Sequence, residues 1–256
     1  MPTWLVARIT FFETLRRKDF FVLLILLGLY TAVAVTLLQG RSQDESVRRL
    51  LFSLGLTFSF GAAAILVVVL AARQVPKEIE QGTILPLLAR PLTRGQFLLG
   101  KFLACWVVGA GSLLCFAVLI RLLVRPPAQF SEVLFVQTIV LQAAGLGALA
   151  AITLMFSLVL TDLLNITVSL IYYFFWGVIF NVLQSALHPA GESGGSFLGR
   201  ALYVFPHLEI LNISRVCLAE STPLAWSLML ALIVYAAAYA ALALVAAHNL
   251  FEKRWV

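Results

Sequence analysis

The chain has 256 residues, of which 62% are apolar and only 12% are charged, whereas a soluble domain has about one charged residue in four. This composition, with a mean hydropathy of +1.00, excludes a water-soluble globular protein and indicates a protein that lies in lipid. We attribute the net charge of +6 to membrane topology and anionic headgroups, and not to nucleic-acid binding. The three cysteines are scattered along the chain, so we expect no metal site.

The first predicted element is an amphipathic helix over residues 4–18 that lies in the inner membrane interface. Its apolar side chains share one arc of a helical wheel, and its arginines have long stems that can reach the headgroups. The alternative is a simple positively charged anchor for the first membrane span.

Six apolar stretches follow, and each is long enough for a helix to cross a membrane, which needs about 20 residues. They cover residues 20–38, 50–72, 102–124, 133–160, 166–187 and 224–250. The sequence therefore predicts an all-α integral membrane protein with six transmembrane helices, which form one domain over residues 1–256. The segments predicted to lie inside the cell carry eleven Lys and Arg and the outer segments seven, so both ends are expected inside.

Small residues recur in the third and fourth spans, at Gly109, Gly111 and over 143–151. Such residues allow helices to approach closely in lipid, either within one subunit or across a dimer. The fifth span is rich in aromatic residues. These are ordinary packing or lipid-facing side chains, or they line a path for an amphipathic substrate; the candidates for the path are Tyr172, Tyr173, Trp176, Phe180 and Asn181.

The longest outer loop covers residues 188–223. It begins with a glycine-rich stretch that is typical of a flexible break. The part that follows is apolar, and we expect it to form short helices that lie on the outer leaflet or dip into it.

The residues disfavour several kinds of chemistry. Residues 95–102 have the Gly and Lys spacing of a phosphate-binding loop, but Phe102 stands where the magnesium-binding Ser or Thr is required. Any ATP must therefore be bound by another chain. The ionisable residues Arg121, Asp162 and His248 lie near span ends, which disfavours a transporter with its own coupling site. No catalytic constellation falls within the spans, so we predict no enzymatic activity and no cofactor in this chain.

A charged segment over residues 73–101 separates the second and third spans and holds five of the eighteen Lys and Arg. Its motif pieces at 78–83, 87–94 and 98–101 resemble the signature of ABC-2 type exporter permeases. The branch that it most resembles is the one labelled multicopper-enzyme-maturation permeases. A second, weaker match covers 202–212 and departs from the commoner Pro-Asn pair at His207.

The resemblance implies a permease of the bacterial cytoplasmic (inner) membrane that pairs with a second permease copy, identical or a sister chain. Two copies of a separate ATP-binding-cassette subunit would bind ATP and Mg. Residues 78–88 would form a coupling helix seated on that ATPase. The coupling residues would be Glu78, Glu80, Gly82, Thr83, Leu87 and Arg94.

Two alternatives to this interpretation remain. In the first, the charged segment is a solvated loop that only sets the topology. In the second, the chain is a non-transporting membrane anchor or assembly factor, and the charged segment docks a cytoplasmic partner. A channel is disfavoured because no charged ring or filter-like polar loop is present.

Overall fold

The computed structural model describes residues 45–80, 94–123, 131–187, 206–212 and 223–254, and all regular structure in them is helical. The long helices are α1 (Glu45–Glu80), α2 (Arg94–Leu123), α3 (Glu132–Ser157), α4 (Asp162–Leu187) and α5 (Trp226–Arg254). A short 3₁₀-helix covers Leu208–Leu211. The predicted interfacial helix over 4–18 and the first predicted span over 20–38 lie outside the described residues.

Five helices in the described part of the chain are long and apolar enough to cross a membrane, and they match the second to sixth predicted spans. This part of the chain therefore has the architecture of a helical, multi-pass membrane protein. The helices are much more apolar than the surface helices of soluble proteins, and large apolar side chains remain exposed along α2, α4 and α5.

Helix α1 is longer than its predicted span. It continues through Pro76 to Glu80, although proline has no N–H to donate to the carbonyl of Ala72 one turn earlier. Its 36 residues correspond to about 54 Å at a rise of 1.5 Å per residue, against about 30 Å of hydrocarbon. The charged segment predicted over 73–101 thus begins as a direct extension of this helix.

Helix α3 lies at the centre of the bundle and contacts α1, α2, α4, α5 and the 3₁₀-helix. Its small residues between 143 and 151 account for this position, since they let other elements approach closely. The indole of Trp106 lies against Gly147, where an added Cβ would come within 3.2 Å of it. The same indole N–H donates to the carbonyl of Ala143 at 2.8 Å.

Polar side chains fix the connections of α3 to its neighbours. Asn165 lies in the first turn of α4 and is fully buried. Its Nδ2 atom donates to the carbonyl of Thr153 at 3.0 Å. Near the other end of α3, the Gln137 amide bonds both backbone groups of Leu224, with distances of 3.0 Å and 2.9 Å. This pair of bonds holds the chain just before α5 begins.

The two glycines of α2 have different surroundings. A Cβ at Gly109 would overlap the side chain of Val67 in α1, whereas a Cβ at Gly111 would meet nothing within 4 Å. The sequence left open whether the small residues of the third and fourth spans pack within one subunit or across a dimer. Three of them make contacts within this chain: Gly109, Gly145 and Gly147.

We expect Gly109→Ala to lower the thermal stability of the purified protein, because the added methyl group forces α1 and α2 apart. Overpacking of this kind costs about 1–3 kcal/mol. Gly111→Ala is the matched control and should melt as the wild type does. The measurement is a melting curve in detergent; equal melting temperatures for the two variants would contradict the close α1–α2 contact.

Candidate functional site

The segment Pro206–Asn212 carries the short 3₁₀-helix into the helix bundle. Leu208 and Leu211 are buried, and Leu211 lies against Gly145, where a Cβ would come within 3.3 Å of its Cδ1 atom. The segment closes its own turn, since the N–H of Asn212 donates to the carbonyl of Glu209 at 2.9 Å. The segment thus lies among the membrane-length helices as a separate, non-α-helical piece.

This segment lies deep along the helices that it contacts. Gly145 is thirteen residues from the start of α3, which is about 20 Å at a rise of 1.5 Å per residue. Tyr235, another contact of the segment, is nine residues from the start of α5, or about 14 Å. The sequence predicted short helices in the loop 188–223 that lie on the outer leaflet or dip into it. The structure places this part of the loop well inside the bundle.

Two tyrosine hydroxyls satisfy the backbone of the segment. The hydroxyl of Tyr172 in α4 donates to the carbonyl of Pro206, and the N–H of His207 donates to the hydroxyl of Tyr235 at 2.9 Å. Irregular backbone is tolerated at membrane depth only where protein or water supplies hydrogen-bond partners. The two tyrosines supply them here, and Tyr239 packs edge-on against Tyr235 with ring centroids 4.8 Å apart.

Glu209 attaches the other side of the segment to α4. Its carboxylate accepts a hydrogen bond from the N–H of Gly177, and a Cβ at position 177 would overlap that carboxylate. The absence of a side chain at Gly177 therefore leaves room for this close approach. Unlike its neighbours Leu208 and Leu211, Glu209 is exposed, and its carboxylate lines a cleft.

The residues predicted as a substrate path divide between two faces of α4. Tyr172, Trp176 and Phe180 surround the segment: the rings of Trp176 and Phe180 contact that of His207, with centroids 6.3 Å and 4.6 Å away. Tyr173 lies on another face, where its hydroxyl accepts a bond of 2.5 Å from the Gln142 amide. The helix includes Asn181, whose side chain lies outside the description. The path itself stays a prediction.

Two cavities flank the segment, each with a volume of about 470 Å³. One lies between α3, α4 and α5 and is lined almost entirely by apolar side chains, among them Met155, Trp176 and Leu242. The other, which we call the Glu209 cleft, lies between α1, α4 and the segment and is lined by Thr57, Phe60, Gly61, Tyr173, Phe174, Gly177, Val178, Leu208, Glu209 and Asn212. The segment therefore separates an apolar space from a partly polar one.

A polar pair ties the helices together at the end where the predicted coupling segment begins. Lys101 of α2 is buried and donates to the Oε1 atom of Gln74 in α1 at 2.9 Å. Its ammonium lies 5.7 Å from the ring centroid of Phe97, which stacks on Phe251 of α5. Three helices are thereby joined at one end of the bundle.

The predicted coupling residues lie at the edge of the described structure. Glu78 and Glu80 belong to the last turn of α1, and Arg94 is the first residue of α2. The structure does not describe these three side chains, and Gly82, Thr83 and Leu87 lie outside the described residues. The coupling assignment stays a prediction. The stretch Gly95–Lys101, which has the spacing of a phosphate-binding loop, is helical.

Sequence reasoning missed the residues that position the segment. Tyr235 and Tyr239 are four apart on one helix, a spacing that places both on one face and is a usable signal. His207 and Glu209, two polar residues in an otherwise apolar stretch, are a second signal. Gln142, Gly177 and Gln74 carry no pattern that distinguishes them, because their roles depend on contacts between distant parts of the chain.

A family model described as "Protein of unknown function (DUF2705)" matches residues 20–254. The chain belongs to the DUF2705 family. A search of curated proteins found no match. The matched range of this DUF2705 member includes all five described spans and the segment Pro206–Asn212.

We expect Tyr172→Phe and Tyr235→Phe each to loosen the segment, because each leaves one buried backbone group without its partner. Such a loss costs about 1–3 kcal/mol. The measurement is hydrogen–deuterium exchange of a peptide that contains residues 207–212, in protein reconstituted into lipid nanodiscs. Exchange should accelerate in both variants. Tyr173→Phe is the control, since its hydroxyl bonds Gln142 and not the segment; equal exchange in all three variants would contradict the anchoring role.

Proposed function

We propose that this DUF2705 member is the permease subunit of an ATP-driven exporter of the ABC-2 type, located in the bacterial inner membrane. The observation that carries the proposal is the charged motif between α1 and α2. It comprises Glu78-Ile-Glu80-Gln-Gly82-Thr83 and the matching pieces at 87–94 and 98–101. The five membrane-length helices are compatible with such a subunit.

In this proposal the chain forms the translocation path and carries out no bond chemistry. ATP and Mg are held by a separate ATP-binding-cassette subunit, present in two copies, and the permease pairs with a second permease copy. The motif would form the docking surface for the ATPase, and its two acidic residues, Glu78 and Glu80, lie in the last turn of α1.

The contacts at that end of the bundle support a mechanical role for the motif. Helix α1 runs without interruption to Glu80, so a force applied there acts on a helix that also lines the Glu209 cleft through Phe60. The bond between Lys101 and Gln74 joins α2 to α1, and Phe97 joins α2 to α5. A displacement of the coupling segment would thus move three helices together.

The alternative of a non-transporting anchor uses the same motif as a docking site. The two functions differ in one measurable respect, since only an exporter moves a solute in one direction at the expense of ATP. Inside-out vesicles that contain the complex should accumulate substrate with ATP if the chain is an exporter. An anchor would show ATP hydrolysis without accumulation.

The first experiment is a pull-down of the tagged full chain from its native cells in mild detergent, followed by mass spectrometry. We expect a stoichiometric ATPase, and we expect its recovery to fall at least about tenfold with Glu80→Arg, because reversing a charge at a docking surface costs several kcal/mol. Glu45→Arg, at the opposite end of the same helix, is the matched control and should retain the ATPase. Gly82→Trp should also reduce recovery.

Recovery of intact chain without any ATPase would overturn the exporter proposal and favour the anchor. Equal recovery in wild type and Glu80→Arg would remove the coupling assignment even if an ATPase is found. Membrane insertion of each variant is checked by its yield in the membrane fraction.

The predicted path along α4 has its own test. We expect Tyr172→Ala and Trp176→Ala to reduce substrate-stimulated ATP hydrolysis, since both side chains line the apolar cavity. Phe175→Ala is the control, because Phe175 lies on the exposed face of α4 with 56% of its surface accessible. Unchanged stimulation in both cavity variants would contradict a path at this place.

A further inference from the structure

Glu209 places an exposed carboxylate in a cleft between α1 and α4. The segment that carries it contacts α3 and α5 about 20 Å and about 14 Å from the starts of those helices, at a rise of 1.5 Å per residue. Among the described residues, Arg121 forms an ion pair with Glu132, and the Glu209 carboxylate accepts a hydrogen bond from the N–H of Gly177. Ionisable side chains at membrane depth are costly, and they mark functional sites when they face a cavity.

The Glu209 cleft has polar groups on one side. The amide of Asn212 and the hydroxyl-bearing Thr57 line it together with the carboxylate. The N–H of Gly177 bonds one carboxylate oxygen and thereby fixes the orientation of the group. A ligand in the cleft would therefore meet a negative charge held in one position.

Aromatic rings line the rest of the cleft. Phe60 comes from α1, and Tyr173 and Phe174 come from α4, where their rings meet edge to face with centroids 5.0 Å apart. The faces of aromatic rings carry partial negative charge and attract organic cations. Both the carboxylate and the rings thus favour a positively charged ligand, and the rings also favour an apolar one.

We propose that the Glu209 cleft binds a lipophilic organic cation, such as an amphipathic amine or a quaternary ammonium compound. The positive centre lies beside the Glu209 carboxylate, and the apolar groups pack on Phe60 and Phe174. A Ca²⁺ or Mg²⁺ ion is a poorer match, because each takes six or more oxygen ligands. The described residues also contain no group of three or more His, Cys, Asp or Glu side chains that could hold a metal ion. Binding in the cleft is independent of the function proposed above; only a role of the cation as exported substrate rests on it.

The test uses the purified full chain in lipid nanodiscs, without an ATPase, and two phosphorus compounds that carry phenyl groups, four in the first and three in the second. Tetraphenylphosphonium is a cation, and triphenylphosphine oxide is neutral. We expect Glu209→Gln to weaken tetraphenylphosphonium binding at least about tenfold, because it removes the negative charge beside the bound cation. Binding of the neutral compound should stay as in the wild type, and Glu132→Gln should leave both affinities unchanged.

A second pair of variants places the ligand independently of Glu209. Phe174→Ala, in the Glu209 cleft, should weaken tetraphenylphosphonium binding about fivefold. Leu242→Ala, in the apolar cavity on the other side of the segment, should not weaken it. These two variants keep the proposal testable if Glu209→Gln reduces the stability of the protein.

Three results would overturn the proposal. The first is an unchanged affinity of Glu209→Gln for tetraphenylphosphonium. The second is an equal loss of affinity for both compounds in a Glu209→Gln protein that keeps the wild-type melting temperature. The third is sensitivity to Leu242→Ala but not to Phe174→Ala, which would place the ligand in the apolar cavity. Because the assay contains no ATPase, its result is separate from the pull-down that tests the exporter.

Discussion

Backbone that is not α-helical can lie at membrane depth only if protein groups or water satisfy its N–H and C=O groups. The segment Pro206–Asn212 meets this requirement through Tyr172 and Tyr235, which bond consecutive residues of it from two different helices. Gly145 and Gly177 supply the space, since a side chain at either position would press on the segment. Much of the arrangement of α3, α4 and α5 can be understood as the enclosure of this short piece of chain.

The enclosure creates two environments of different polarity on the two sides of the segment. On one side, α3, α4 and α5 leave an apolar cavity bounded by Tyr172 and Pro206; on the other, the Glu209 carboxylate lines a cleft with aromatic walls. A single element thus divides the interior, and any movement of the segment alters both spaces together. This geometry suits a protein that handles amphipathic molecules, which need an apolar and a polar surface at one place.

The end of the bundle that bears the charged motif is linked to this region by rigid elements. Helix α1 contacts both: Gln74 bonds Lys101 near the motif, and Phe60 lines the Glu209 cleft. The two residues are fourteen apart, or about 21 Å along one continuous helix at a rise of 1.5 Å per residue. The proposed export function requires a connection of this kind, because the ATPase would act at one end and the substrate would bind nearer the other.

The sequence by itself determined the helical class and the positions of five spans, because a run of about 20 apolar residues has few alternatives in lipid. It also marked the fifth span as aromatic and the loop 188–223 as able to enter the outer leaflet. Only the tertiary structure decided that the Tyr172 hydroxyl bonds Pro206 whereas the Tyr173 hydroxyl bonds Gln142. It also decided that the N–H of Gly177 donates to the Glu209 carboxylate. The physical reason is that hydropathy is a property of single residues summed along the chain. A hydrogen bond between Tyr235 and His207 joins residues 28 positions apart, and its formation depends on how the helices pack.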